Sequence, residues 1–323
     1  MIAFIGPERE SGHTGCNQAT IPRLKLDRSC VAVNITEVGQ KLPHFVALTR
    51  LNRPIGIYLL MWPMLWALWF AAKGVPRLDV LFIFIVGTVL TRSAGCAIND
   101  YADRDIDGHV ARTHQRPLAT GALTAKEALL ATGVLLLTAF ILVLFTNALT
   151  IKLSLIAAAL AIAYPFAKRH THWPQVVLGA AFGFAIPMAY AAQTNQVPPQ
   201  AWWLFISAVL WAVAYDTLYA MADREDDLKI GVKSTAILFG RFDLIIVVAL
   251  QLIVLCILAL IGLQAGRGMF YFIALALSCG FIVYQQSLVR ERDPARCVQA
   301  FLNNNWLGMT VFIGLALDYA LHP

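Results

Sequence analysis

The strongest constraint on this chain is a succession of long apolar runs. Each extends over about 17–22 residues, the length at which an α-helix crosses a ~30 Å hydrocarbon core. Inside such a core every backbone N–H and C=O must find a partner within the protein, and a helix meets that demand within one segment. Composition agrees: 59% of the 323 residues are apolar and 14% are charged, against about 25% charged in an ordinary soluble domain. A water-soluble enzyme and a disordered or fibrous chain are both excluded. The expectation is a polytopic, all-α membrane protein.

Nine spans are expected, at about 54–72, 79–98, 126–145, 149–166, 175–192, 202–222, 243–263, 269–289 and 301–319. Pro63 and Pro187 fall inside spans, where neighbouring helices can satisfy the freed backbone groups. The net charge of +6 does not point to nucleic acid, because no basic run carries interleaved aromatics. It points to orientation instead. With the N-terminus inside, 20 Lys and Arg fall on the cytoplasmic side and 4 on the other, leaving Arg92 within the second span. This asymmetry fits an odd number of spans with the C-terminus outside. The six cysteines show no metal-binding or redox spacing, and several sit in apolar runs as small hydrophobes. The opening MIAFIGPERE has neither a basic nor an apolar signal region, so no cleaved signal peptide is expected. Residues 1–45 read as a polar N-terminal extension.

The acids are less evenly spread than the bases. Nine of the 19 lie in two short windows: Asp100, Asp103, Asp105 and Asp107 after the second span, and Asp216, Asp223, Glu225, Asp226 and Asp227 at the end of the sixth. If the helices continue through these windows, Asn99, Asp100, Asp103 and Asp107 share one face and Asp105 points away. Asp216, Asp223 and Asp227 then share a face on the other helix. Their spacing of seven and four repeats that of Arg92, Asn99 and Asp103, which suggests an internal duplication four spans apart. The stretches RPLATG (116–121) and KSTAILFG (233–240) follow the two windows and extend the match. Three readings suit such clusters: solvated loops, a transporter gate or ion site, and a magnesium–diphosphate site. The last has a clear chemical basis, because Mg²⁺ keeps several waters and binds through a few carboxylates plus substrate phosphate oxygens. Arg112, Arg116, Lys168 and Lys233 lie nearby in sequence and can bind phosphate.

NDYADRDIDGH (99–109) and DREDD (223–227) resemble the paired aspartate motifs of the UbiA superfamily of intramembrane prenyltransferases. RPLATG, YPFAKR (164–169) and the stretch 216–240 resemble its 4-hydroxybenzoate polyprenyltransferase branch. The resemblance covers roughly residues 45–320 and so implies a UbiA-type transmembrane domain over 46–323. A partial match to the CDP-alcohol phosphatidyltransferase signature fails, because Arg104, Ala125 and Leu129 stand where three of its four metal ligands belong.

The resemblance implies a nine-helix bundle around a central cavity open to the bilayer. It also implies transfer of a polyprenyl group from polyprenyl diphosphate to the ring of 4-hydroxybenzoate, ortho to the hydroxyl, in ubiquinone biosynthesis. By the same resemblance Asp103, Asp107, Asp223 and Asp227 would hold Mg²⁺, with Asn99 and Asp100 in support. Arg112, Arg116, Lys168, Tyr164 and Lys233 would then bind diphosphate. Arg92, an intramembrane arginine and so a functional candidate by position, is the first choice for the benzoate carboxylate, with Arg169 and Arg53 as rivals. A structural pairing of Arg92 with Asp216 is the competing role. A bacterial inner membrane with the aspartate motifs on the cytoplasmic side is the expected location. A different aromatic acceptor within the same superfamily, or a transporter, are the remaining alternatives.

Overall fold

The computed structural model describes residues 35–108 and 113–322. Lys41–Pro323 forms one compact unit. Most of the expected extension, residues 1–34, lies outside the described residues. Its last part belongs to the helix α1 (Ile35–Leu48).

Lys41–Pro323 is helical throughout its described elements. After α1 come α2 (Ile55–Ala72), α3 (Leu78–Asp107), α4 (Ala125–Val143), α5 (Ala148–His170), α6 (Pro174–Gly183), α7 (Ala185–Thr194), α8 (Pro199–Ala222), α9 (Arg224–Ile230), α10 (Thr235–Phe239), α11 (Asp243–Gln264), α12 (Met269–Val289) and α13 (Pro294–Leu321). Among the described residues, eight helical stretches are long and apolar enough to cross a membrane, and the shorter apolar segment Ala148–Tyr164 of α5 brings the expected nine. The protein is an integral membrane protein. Its helices start where sequence chemistry places them. Thr124 and Glu127 form a reciprocal capping box on α4, and Asn147 caps α5 through the Thr150 N–H at 2.9 Å, satisfying N-terminal donors that have no intrahelical partner. The fifth span is split at Phe184 into α6 and α7. Pro187 explains the break, since it has no N–H to bond the Gly183 carbonyl and its ring crowds that group. Pro63 leaves α2 continuous.

The main core lies among α2, α3, α7, α8, α11, α12 and α13. Trp66 and Trp211, both fully buried, stack with centroids 5.4 Å apart. A buried amide chain runs through this region. The Trp211 indole N–H donates to Asn304 at 3.0 Å, Gln251 donates to Gln285 at 2.6 Å, and Gln285 donates to Asn303 at 3.0 Å. Without water, each of these groups depends on another side chain for its hydrogen bond. The outward faces of α4, α11 and α12 expose Leu130, Leu137, Ile245, Leu260, Leu277 and Val283, as suits helices bathed in lipid.

Candidate active site

The first acidic window keeps the phase expected of a continuous helix, because α3 runs unbroken to Asp107. Asp100, Asp103 and Asp107 are buried, whereas the Asp105 side chain is 78% exposed. Asn99 donates to Asp103 at 3.2 Å. Arg116 reaches both Asp107, at 2.8 Å, and Asp100, at 3.1 Å. The Arg50 guanidinium also donates to the two Asp100 carboxylate oxygens, at 3.0 and 3.1 Å. Burial pushes the Asp107 carboxyl above the usual carboxylate range, against the opposing pull of Arg116.

The second window departs from the expectation. The helix does not continue from Asp216 to Asp227. It ends at Ala222, and Asp223, at φ −100° and ψ 1°, turns the chain into the short helix α9. Asp216 on α8 and Asp227 on α9 are therefore not carried by one continuous helix, whereas Asn99 and Asp103 both lie on α3. Asp223 and Asp227 do stay one turn apart, joined by the Asp227 N–H to the Asp223 carbonyl at 2.9 Å. Glu225, Asp226 and Asp227 occupy the first turn of α9, where the helix dipole favours negative charge. Gly231 closes α9 with a φ of 73°, a left-handed conformation that glycine adopts without a Cβ penalty.

A cavity of about 900 Å³ opens beside these elements. Of the residues singled out in sequence, it is lined by Asn99, Asp100, Arg116, Tyr164, Arg92 and Arg53, together with Asp216. The two windows thus contribute to one cavity wall, although Asp103, Asp107, Asp223 and Asp227 do not line it. Asp103 and Asp216 both lie within electrostatic range of the Tyr164 hydroxyl. Lys233 sits apart from the lining and donates to the His170 carbonyl at 3.4 Å. Arg112 lies outside the described residues. Lys168 and Arg169 have their backbone on α5, and their side chains lie outside the described set.

Arg92 lines the cavity. Its Nη1 donates to Cys96 Sγ at 3.0 Å, and the guanidinium lies 5.5 Å from the centroid of the Phe182 ring. Its Nε is buried without a hydrogen-bond partner, and Arg92 makes no ion pair among the described residues. Asp216 acts on it only as a nearby charge, so the alternative of a structural Arg92–Asp216 salt bridge is not formed. Cys96, read in sequence as a small hydrophobe, serves here as a polar contact. Six aromatic side chains, Tyr58, Phe182, Tyr215, Tyr219, Phe301 and Trp306, are interspersed with aliphatic and polar residues along the rest of the wall.

Sequence reasoning missed Arg50, whose only signal was membership of the basic cytoplasmic side. Its backbone is left-handed, with φ 58°, and its side chain reaches fifty positions along the chain. It also missed Asn305, which lines the cavity and accepts from the Trp62 indole at 2.9 Å.

The donor set around the windows consists of carboxylate and amide oxygens, which suits a hard cation such as Mg²⁺ and not a soft one. Known proteins share this fold. The UbiA homologue from Aeropyrum pernix superposes with a TM-score of 0.72 at 23% identity, over 81% of this chain and 97% of that one. A UbiA homologue from Archaeoglobus fulgidus bound to GPP and Mg²⁺ superposes with a TM-score of 0.66 at 19% identity, over 85% and 99%. The 4-hydroxybenzoate octaprenyltransferase of Alkalilimnicola ehrlichii is 60% identical over 278 residues, 86% of this chain and 95% of its own. That of Hahella chejuensis is 59% identical over 283 residues, 88% and 94%. The UbiA prenyltransferase family profile matches residues 60–311, and the chain belongs to that family.

Proposed function

We propose that this protein transfers a polyprenyl group from polyprenyl diphosphate to the carbon of 4-hydroxybenzoate ortho to its hydroxyl, releasing diphosphate, as an early step of ubiquinone biosynthesis. The observation that carries this reading is one cavity lined together by Asp100 and Asp216 from the two acidic windows, by aromatic side chains and by the intramembrane Arg92. The near-full-length similarity to octaprenyltransferases of this acceptor supports it. The catalytic unit spans 46–323. It lies in a bacterial inner membrane with both acidic windows cytoplasmic, an orientation supported by the excess of basic residues on that side.

Asp103, Asp107, Asp223 and Asp227 are the residues that would hold Mg²⁺, with Asn99 and Asp100 orienting them. Bound there, Mg²⁺ would neutralise the charge that develops on the departing diphosphate. Arg116 adds positive charge to the same end of the cavity, and Arg112, Lys168 and Lys233 belong to the diphosphate side by their place in the sequence. The Tyr164 hydroxyl, at the cavity wall, is placed to donate to a phosphate oxygen. The allylic carbon–oxygen bond breaks to leave diphosphate and a cationic prenyl carbon, the ring carbon then bonds to that carbon, and the ring proton passes to the released diphosphate or to water. Aromatic faces along the wall stabilise the cationic prenyl carbon without attacking it, and they exclude water that would hydrolyse it.

Arg92 holds the acceptor carboxylate. An arginine within a membrane span is unfavourable by ~2.5–3.5 kcal/mol on insertion scales, and a buried N–H with no protein partner leaves it ready for an anionic ligand. A guanidinium and a carboxylate match as a bidentate pair. Arg53, also at the cavity, and Arg169 are the competing carboxylate binders.

The test is an assay of membranes containing the full chain with Mg²⁺, octaprenyl diphosphate and 4-hydroxybenzoate, scored by mass spectrometry. Prenylated 4-hydroxybenzoate is expected. Product with a different aromatic acceptor, and none with this one, would overturn the acceptor assignment.

A further inference from the structure

The break at Asp223 has a specific counterpart elsewhere in the fold. One residue beyond it, the Arg224 guanidinium leaves the cavity side and donates to the Ala236 carbonyl at 2.7 Å and to Asp243 Oδ2 at 2.5 Å. Asp243, the first residue of α11, is fully buried and does not line the cavity described above. It accepts from the Leu244 N–H at 2.7 Å. It also takes a second guanidinium, that of Arg292, through Nε at 3.1 Å and Nη2 at 2.8 Å. Arg292 lies in the turn between α12 and α13 with a left-handed φ of 56°, and its Nη2 also bonds the Arg241 carbonyl at 3.2 Å. One carboxylate therefore ties three separate parts of the chain together, and one of them is the residue that follows Asp223.

We propose that Asp243 is a positioning residue for the second acidic window. Through Arg224 it holds the chain at the point where α8 ends. Through the Asp227 N–H bond to the Asp223 carbonyl, that anchor fixes both carboxylates at one end of the same short helix. The two arms of the clasp divide the work. The Arg292 arm braces α11 against the α12–α13 turn, while the Arg224 arm sets the geometry of the Asp223–Asp227 pair. This inference rests on the reading that the pair binds the metal–diphosphate.

The experiment uses the full chain, purified in detergent, with Arg224→Gln, Arg292→Gln, Asp243→Asn and Asp243→Glu variants. Hydrogen exchange of amides 224–232 in metal-free protein is read beside thermal stability, half-saturating Mg²⁺ in prenyl transfer and the KM for 4-hydroxybenzoate. For Arg224→Gln, exchange over 224–232 and half-saturating Mg²⁺ should each rise about tenfold, the usual scale for losing a residue that orients a ligand, with the acceptor KM unchanged. Asp243→Glu should restore part of the lost protection relative to Asp243→Asn. Arg292→Gln should lower thermal stability and leave half-saturating Mg²⁺ at the wild-type value. Wild-type exchange in Arg224→Gln, or equal Mg²⁺ shifts in the two arginine variants, would overturn the proposal and reduce the cluster to a general brace. Because exchange is measured without metal or substrate, it decides on the clasp even if the wild-type chain fails to prenylate 4-hydroxybenzoate.

Discussion

Replacing Gly56 with alanine separates acceptor binding from every other property of the cavity. Gly56 lies in the first turn of α2, directly against the Arg92 guanidinium. A Cβ built there would meet Nη2 at 2.6 Å and Cζ at 2.9 Å, and would come closer still to Nε. Ordinary van der Waals separation requires the guanidinium to retreat by about 1 Å. What the new methyl meets is the far end of a flexible side chain, so Arg92 moves and the helix stays. Alanine is also the better helix former, by up to ~1 kcal/mol, so stability should hold or rise slightly. If Arg92 forks the benzoate carboxylate, a 1 Å displacement removes or lengthens one charge-assisted hydrogen bond, at a loss of about 1.5–3 kcal/mol. That loss corresponds to a rise in the 4-hydroxybenzoate KM of roughly 10- to 100-fold. The prenyl diphosphate KM should not change if, as proposed, the diphosphate is held by Mg²⁺ and Arg116 and not by Arg92. The assay is a two-substrate kinetic series on membranes containing each form, with thermal unfolding run in parallel. An unchanged acceptor KM, or equal rises for both substrates, would refute the role given to Arg92.

Arg92→Lys should raise the acceptor KM while sparing prenyl diphosphate, since an ammonium keeps the charge and loses the fork; single-substrate titrations check it. Asp103→Ala and Asp223→Ala should each lower kcat by at least about 100-fold, read by product formation at saturating substrate. Chelation of divalent cations should abolish turnover in wild-type membranes, and added Mg²⁺ should restore it. Asn304→Leu should leave the Trp211 indole without its acceptor and reduce stability by about 0.5–2 kcal/mol, visible as a lower Tm with the acceptor KM retained.

The fold class was legible because membrane helices obey a one-dimensional rule. A span must be long, apolar and internally hydrogen-bonded, and each of these can be counted along the chain. Most of the first acidic window was legible for a related reason. Helical phase alone places Asp100, Asp103 and Asp107 inward and Asp105 outward, and α3 continues without interruption. The second window was not legible in the same way. The spacing aligns Asp216, Asp223 and Asp227 only if the helix continues past 222, and it breaks at Asp223. Nothing in the local pattern around Asp223 announces that Arg224 will be held by a carboxylate on α11.

Residue chemistry and periodicity, read without coordinates, determined that the chain is a nine-span helical bundle with two acidic helix ends and an arginine inside a span. The tertiary structure decided which of those groups share a cavity, that Arg50 and Arg116 both serve Asp100, and that Arg92 makes no salt bridge with Asp216. The physical reason is that periodicity governs neighbours a turn apart, whereas a guanidinium fifty residues away is brought to its carboxylate only by the packing of whole helices.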